Sequence, residues 1–369
     1  MMKILLACGG TGGHIFPAFS VADEIKKTYP KATIVYICGK KDIEDAIFRM
    51  ISGEKVYSVE SAPFRGSRSL WSPSFLIKLA GGFFASCDIL MKEQPSVVVG
   101  FGGHYSFPVI AAAKFFGVKT LIHEQNVVPG MANKVLTRIV DGVALSFPET
   151  EKYLPKNQRM CVTGNPIRAH IERDCRQEAL DFFGFSEGKV TLLVLGGSQG
   201  SESINTVFLE SLSRLSTDIK DRLQVVHLCG KMEPGQAEAA LKKEGVSARA
   251  FSFFERMDMA YGATDFAIGR AGATFLAEMK AKGIPAILVP YPFAGGHQKL
   301  NAEAFLSDKH SVIIDQQDLN AERLAESIRV FHGRAIDNRA RITAAGSKSG
   351  SEITNSRVKL MNLILEISQ

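Results

Sequence analysis

"ILLACGGTGGH" (residues 4–14) and "LLVLGGSQGS" (residues 192–201) repeat one pattern. Each sets a run of aliphatic residues, the composition of a strand buried on both faces, before a turn built almost wholly from glycine. Each then enters an amphipathic helix. Ile15, Ala18, Phe19, Ala22 and Ile25 recur at helical spacing after the first turn, and Ile204, Val207, Phe208, Leu212 and Leu215 after the second. A strand, a glycine turn and a helix form the first unit of a doubly wound parallel sheet. Two such openings, about half the chain apart, predict two Rossmann-like α/β domains rather than one large sheet.

The rest of the chain extends both openings. "ATIVYIC", "PSVVVGF", "KTLIHE" and "GVALSF" follow the first, and "LQVVHLCG", "ARAFSF", "FAIGRA", "PAILVPY" and "SVIID" follow the second, with helical patterns between them. Gly164 and Pro166 in "CVTGNPIR" break the pattern and place the joint there. The first domain is therefore expected over 1–164 and the second over 165–349. Polar "AAGSKSGSE" (344–352) marks a second crossing, so that a closing helix within 350–369 packs back on the first domain.

A chain of 369 residues holds two such domains, each with its own core. The net charge of +6 suits nucleic acid, an anionic membrane or phosphorylated substrates, and by itself does not choose. The six cysteines (8, 38, 87, 161, 175 and 229) form no CxxC pair and read as buried thiols in a reducing compartment. Met1-Met2-Lys3 runs straight into the first strand, so no signal peptide is expected. The longest uncharged window, Gln94 to Ala113, is interrupted by "GFGGHYSFP", and no transmembrane helix is expected.

Such sheets bind ligands at the carboxyl ends of their strands, and three strand exits carry glycine clusters: 9–13, 100–103 and 196–200. Glycine turns that lead into helices present backbone N–H groups to anions, although each alone is also an ordinary tight turn. The dinucleotide fingerprint fails here. Ile15 stands where its third glycine belongs, and the second strand ends in Cys38-Gly39-Lys40 rather than in an acid for the ribose. NAD is disfavoured. "GRAGATFLAEMKAKGIPAILVPYP" (269–292) instead offers free N–H groups at Ala273 and Thr274 for a diphosphate, and Glu278 for ribose hydroxyls. The ordinary role of such a glutamate is a solvated helix carboxylate; its place in this loop argues for the ligand. Gln298 and Asn301 add neutral amides suited to sugar hydroxyls.

In chain order, "GGTGGHIFPA", "GFGGHYSFP", "HEQN", "GNPIR", "GGSQGS" and "GRAGATFLAE…GIPAILVPYP…HQ" closely resemble the bacterial family 28 glycosyltransferases that convert lipid I to lipid II in peptidoglycan synthesis. The resemblance spans nearly the whole chain. It implies a GT-B fold, two Rossmann-like domains with parallel sheets facing an interdomain cleft. It also implies inverting transfer of N-acetylglucosamine from UDP-N-acetylglucosamine to the C4 hydroxyl of undecaprenyl-pyrophosphoryl-N-acetylmuramyl-pentapeptide. The partners implied are that nucleotide sugar, lipid I and an anionic membrane surface, with no nucleic acid and no cofactor. The place implied is the cytoplasmic face of the cell membrane, as a peripheral enzyme.

Carried over by resemblance, the contacts to UDP-N-acetylglucosamine fall on Thr11, Gly12, Gly13, Asn126, Arg168, Ser198 and Phe254, whose backbone meets the uracil. They continue through Ala273, Thr274, Phe275, Leu276, Ala277 and Glu278 to Gln298, while Gly102, Gly103 and His104 form the acceptor and pyrophosphate loop. The chain departs from the family in reading Ala271-Gly272-Ala273 for a more usual Ser-Gly-Ala or Gly-Gly-Ala, and "FFERM" for "FIDDM".

The leaving group is a diphosphate, so backbone N–H groups at Ser198 and at the Ala273 helix start would stabilise the developing charge, with Arg168 as a fixed cation. The acceptor hydroxyl needs a base. His14 ends the first glycine turn and belongs to the residue type that titrates near neutrality; His104 and His123 compete for the role. The small first turn would let two sugars meet above it. No D-x-D motif or His/Asp cluster occurs, and no protein-held metal is expected. "FRGSRSLWSPSFLIKLAGGFFASCDILMK" (64–92) mixes Leu70, Trp71, Phe75, Leu79 and Phe83 with Arg65, Arg68, Lys78 and Lys92, a membrane patch in this reading and core packing in the plainer one. Alternatives to the transferase are another GT-B enzyme, such as a UDP-N-acetylglucosamine 2-epimerase, and a non-catalytic nucleotide-sugar scaffold.

Overall fold

The computed structural model describes residues 2–39, 53–62, 72–156, 159–197, 200–293, 296–306, 311–342 and 350–369. The chain divides into two compact units, residues 1–168 with 352–369, and residues 169–351. The break follows Arg168, four residues beyond Gly164.

Unit one is built on β1 (Lys3–Ala7), β2 (Thr33–Cys38), β3 (Lys55–Ser58), β4 (Val97–Gly100), β5 (Lys119–Glu124), β6 (Gly142–Leu145) and β7 (Met160–Val162). They form one parallel sheet in the order β3-β2-β1-β4-β5-β6-β7. β1 and β4 are buried on both faces because helices cover the sheet on each side, which is why their sequences are unbroken aliphatic runs. On one face Ile4 and Leu6 join Ile15, Phe19 and Ile25 of the helix Gly12–Thr28. On the other, Leu5 and Val98 join Val109 and Ile110 of the helix Gly103–Phe115. Each buried Leu or Ile contributes about 1.5–3 kcal/mol.

The chain returns to this unit at its end. Leu360, Leu363, Ile364 and Ile367 of the helix Gly350–Ser368 lie in the same core as Ile4 and Leu6. Arg357 anchors that helix by donating from Nη1 to the Ile167 carbonyl (2.9 Å) and pairing with Glu24 (3.4 Å).

Unit two repeats the plan with β8 (Val190–Leu195), β9 (Leu223–Leu228), β10 (Ser247–Phe251), β11 (Phe266–Gly269), β12 (Ala286–Leu288) and β13 (Val312–Ile313), in the order β10-β9-β8-β11-β12-β13. Val194, Phe208, Val225, Phe266 and Ile268 fill its core. In both sheets the order reverses beside the first strand, between β1 and β4 and between β8 and β11. That reversal opens a crevice at the carboxyl ends of the paired strands. Ala7 pairs with Gly100 and Leu195 with Gly269, so in each unit two glycine turns leave the sheet side by side. Of the six cysteines, none bridged, all are buried except half-buried Cys161.

Candidate active site

In unit one the two turns touch through their backbones. A β-carbon on Gly103 (φ +73°) would come within 2.9 Å of the Gly9 carbonyl oxygen, and one on Gly12 within 2.7 Å of the Phe16 ring. Glycine at 103 and 12 is thus required by packing within the unit, whereas a β-carbon on Gly10 would meet nothing within 4 Å. Thr11 begins the helix Gly12–Thr28 without a side-chain cap, and no acidic residue lies in its first turn. A helix start without a side-chain cap or an acid is the kind that can face an anion.

His14 sits between the turns. A β-carbon on Gly102 (φ +85°) would lie 3.1 Å from the His14 Nδ1 and Cε1 atoms, so glycine at 102 admits both the backbone bend and the ring. His14 Nδ1 lies 3.2 Å from Gln125 Oε1, and Gln125 Nε2 donates to the Phe101 carbonyl at 2.9 Å and lies 3.1 Å from His123 Nδ1. His123 is fully buried, with Nε2 3.1 Å from the Gly164 carbonyl. Burial pulls its pKa down to about 4, more than the Gly164 contact raises it, so it stays neutral at physiological pH. What argues against His123 as the base is geometry: it is fully buried, and both ring nitrogens are engaged, Nε2 by the Gly164 carbonyl and Nδ1 by Gln125. His104 stacks on Tyr105 (4.0 Å between ring centres), and its carbonyl accepts from Ser61 Oγ (2.9 Å).

Asn126 is held by buried Glu124, whose Oε1 accepts from the Asn126 backbone N–H (2.9 Å) and Nδ2 (3.2 Å). Glu124 Oε2 accepts from the Gly130 N–H and from Asn133 Nδ2, fixing the loop after β5. The Arg168 guanidinium is buried over the Phe16 ring, 4.0 Å from its centre. Arg168 thus lies with Thr11, Gly12, Gly13, His14, Gly102, Gly103, His104 and Asn126 in unit one, whereas the other expected donor-site residues belong to unit two.

In unit two the helix Ala273–Lys282 starts after Gly272, with no side-chain cap and no acid in its first turn. Its N-terminal end, with the positive end of the helix dipole, lies at the β11 exit. Glu278 is not a solvated carboxylate. It is 5% exposed, and its Oε2 accepts from buried Tyr261 Oη at 2.7 Å. Phe275 and Leu276 are buried in the same helix, so their part at this position is packing, with the backbone left for contact. Gln298 Oε1 accepts from the Tyr291 N–H (2.9 Å), and Asn301 Nδ2 donates to the Ala271 carbonyl (3.4 Å). Phe254 stacks on Phe251 at 4.6 Å and on Phe183 at 5.6 Å. Ser198 lies outside the described residues.

Two residues were not singled out from sequence. Arg270, in "GRAG", donates to Gln316 Oε1, to the Val289 carbonyl and to Ser201 and Ser203 Oγ, tying the turn after β8 to the strand exit of β12. Gln125 lies in the quoted "HEQN", but its partner His14 is 111 positions away, and no local spacing signals that contact.

The expected membrane stripe needs correction. Leu70 and Trp71 lie outside the described residues. Phe75 is buried, and Leu79 and Phe83 are half-buried, because this side of the helix Pro73–Glu93 faces the unit's interior with Cys87, Ile89 and Leu90. Gly82 lets it pack closely, since a β-carbon there would sit 2.2 Å from the Glu60 carbonyl oxygen. The outward face instead carries Leu76, Ile77 (71% exposed) and Phe84 (66%), next to Phe115 (74%) on the neighbouring helix. The helix is long and apolar enough to span a membrane by length and composition, yet a third of it is buried in the unit.

Two Rossmann-type units, each with an uncapped helix start at its switch point, are an architecture that nucleotide-sugar glycosyltransferases use. Residues 4–145 match the glycosyltransferase family 28 N-terminal domain and residues 191–355 the family 28 C-terminal domain. The chain is 36% identical to the UDP-N-acetylglucosamine–N-acetylmuramyl-(pentapeptide) pyrophosphoryl-undecaprenol N-acetylglucosamine transferase of Geobacter sp. (strain M21), over 89% of this chain and 86% of that one. It is 36% identical to the transferase of the same name from Syntrophus aciditrophicus (strain SB), over 98% and 99%. A crystal structure of Acinetobacter baumannii MurG superposes with a TM-score of 0.72, covering 99% of both chains at 24% identity, which supports the fold. The chain belongs to this family of N-acetylglucosaminyl transferases.

Proposed function

We propose that the chain transfers N-acetylglucosamine from UDP-N-acetylglucosamine to the C4 hydroxyl of lipid I, giving lipid II with inversion at the anomeric carbon. The observation that carries the reading is the division of chemistry between the units. The first holds a histidine wedged between two glycine turns, and the second an uncapped helix start followed by a buried glutamate. The C4 oxygen attacks the anomeric carbon while its proton passes to His14, and the bond from that carbon to the β-phosphate oxygen breaks. UDP leaves with the electron pair. The N–H groups of Ala273 and Thr274 stabilise the charge on the departing diphosphate, and Glu278 accepts from ribose hydroxyls.

The lipid acceptor gives the outward face of the Pro73–Glu93 helix a role. Ile77, Phe84 and Phe115, with exposed Lys78 and Lys92 nearby in sequence, suit an anionic bilayer surface, with the enzyme on its cytoplasmic side where the nucleotide sugar is available. The deciding experiment incubates purified protein with labelled UDP-N-acetylglucosamine and a lipid I analogue. A β-1,4-linked disaccharide product is expected. Epimerised sugar formed without acceptor would replace this reading with the epimerase, and absence of any turnover with the scaffold.

A further inference from the structure

The acceptor's proton needs a lone pair on the His14 ring, and an imidazole has two nitrogens of which only one carries it in the neutral form. Which one depends on the hydrogen bond made by the other. The surroundings of Gln125 decide this from groups whose roles are fixed. The Phe101 carbonyl can only accept, so the Gln125 end facing it at 2.9 Å is the NH2 group. The amide oxygen is then the end that lies 3.2 Å from His14 Nδ1, and that oxygen can only accept.

The far side of the amide agrees independently. The Gly164 carbonyl also only accepts, so His123 carries its proton on Nε2. In its buried, neutral state His123 Nδ1 is a lone pair, which takes the second N–H of Gln125 at 3.1 Å. Gln125 is 2% exposed, so water does not compete for these bonds. Every atom of the side-chain amide has one possible role.

We infer that Gln125 is a positioning residue that sets the tautomer of His14, holding the proton on Nδ1 and leaving Nε2 as the lone pair that receives the acceptor's proton. This rests on His14 being the base. Glycine at 102 is part of the device, because a β-carbon there would crowd the His14 ring at 3.1 Å and strain a backbone at φ +85°. The run of fixed acceptors at Phe101 and Gly164 makes the orientation a property of the fold that exists before substrate arrives.

The test reads the tautomer directly. Two-bond proton–nitrogen correlation spectra of histidine-labelled protein, with His14 assigned by its loss in His14→Ala, should show the Nδ1–H form of the neutral ring. In Gln125→Met, which keeps length and removes both polar atoms, the His14 signal should move to a mixture or to the Nε2–H form. In that variant kcat should fall about tenfold or more, with KM for UDP-N-acetylglucosamine changing less than about twofold. In the His14→Ala background the Gln125 change should cost little more, since it acts through that ring. An Nε2–H tautomer in the unaltered protein overturns the inference without any variant. So does a Gln125→Met protein with wild-type kcat, or losses that multiply in full in the double variant. Wild-type kcat in His14→Ala would instead remove the base assignment on which the inference rests.

Discussion

Glu278→Ala tests ligand binding against packing, because the structure gives this carboxylate an internal partner and the proposed function gives it a ligand. Its Oε2 accepts from Tyr261 Oη at 2.7 Å, and both side chains are buried. Truncation strands the tyrosine hydroxyl, at a cost of about 1–3 kcal/mol in the stability of unit two. If the carboxylate also accepts from ribose hydroxyls, each charge-assisted bond lost adds about 1.5–3 kcal/mol to the free energy of binding the sugar donor. One such bond alone raises KM for UDP-N-acetylglucosamine about tenfold or more. Tyr261→Phe removes the internal hydrogen bond and keeps the carboxylate, so it should lower the thermal midpoint with little change in KM. Steady-state kinetics with a lipid I analogue, with calorimetric titration of UDP and thermal melts on the same samples, give both quantities. An unchanged KM and UDP affinity in folded Glu278→Ala would show that the glutamate serves only to anchor Tyr261, and the ribose assignment would fall.

His14→Ala should lower kcat by about 10²–10⁴ while leaving the thermal midpoint and UDP affinity near wild type; retention of more than about a third of kcat would point to another base, with His104 next in line. Replacing Ile77, Phe84 and Phe115 together with serine should weaken binding to vesicles containing anionic lipid and spare turnover of a short-chain soluble acceptor. Wild-type vesicle binding by the folded triple variant would place docking elsewhere. Acid should destabilise both units, because His123 and His227 are buried with pKa values pulled down to about 4 by desolvation. The unfolded chain takes up these protons below about pH 6.5 and the folded one not until about pH 4, so stability is complete above that window and lost as pH falls through it, on the order of 3 kcal/mol per histidine. His227→Gln should flatten the decline of the thermal midpoint between those limits, and an equally steep decline would acquit His227.

Much of this protein is written in short stretches of its sequence. The duplicated strand and glycine turn predicts the two sheets because parallel strands buried on both faces must be continuously apolar, and because a sheet of this kind starts with a strand feeding a helix. The candidate anion sites at Gly9–Gly13 and Ala273–Glu278 are legible for the same reason: a backbone suited to an anion needs glycine and an uncapped helix start, and both are local features. Burial and pairing between distant residues are not local. The helix Pro73–Glu93 is apolar nearly all round, so its periodicity cannot say which side faces the core; the packing of Gly82 against Glu60 decided that and turned Phe75 inward and Ile77 outward. Glu278 looks like any surface carboxylate until Tyr261 is folded over it. The state of the His14 ring depends on an amide 111 positions away, whose own orientation is set by carbonyls from two further strand exits. A hydrogen bond forms only where folding brings donor and acceptor within reach, so the sequence alone supplied the residue types and the tertiary structure fixed which atom of each does the work.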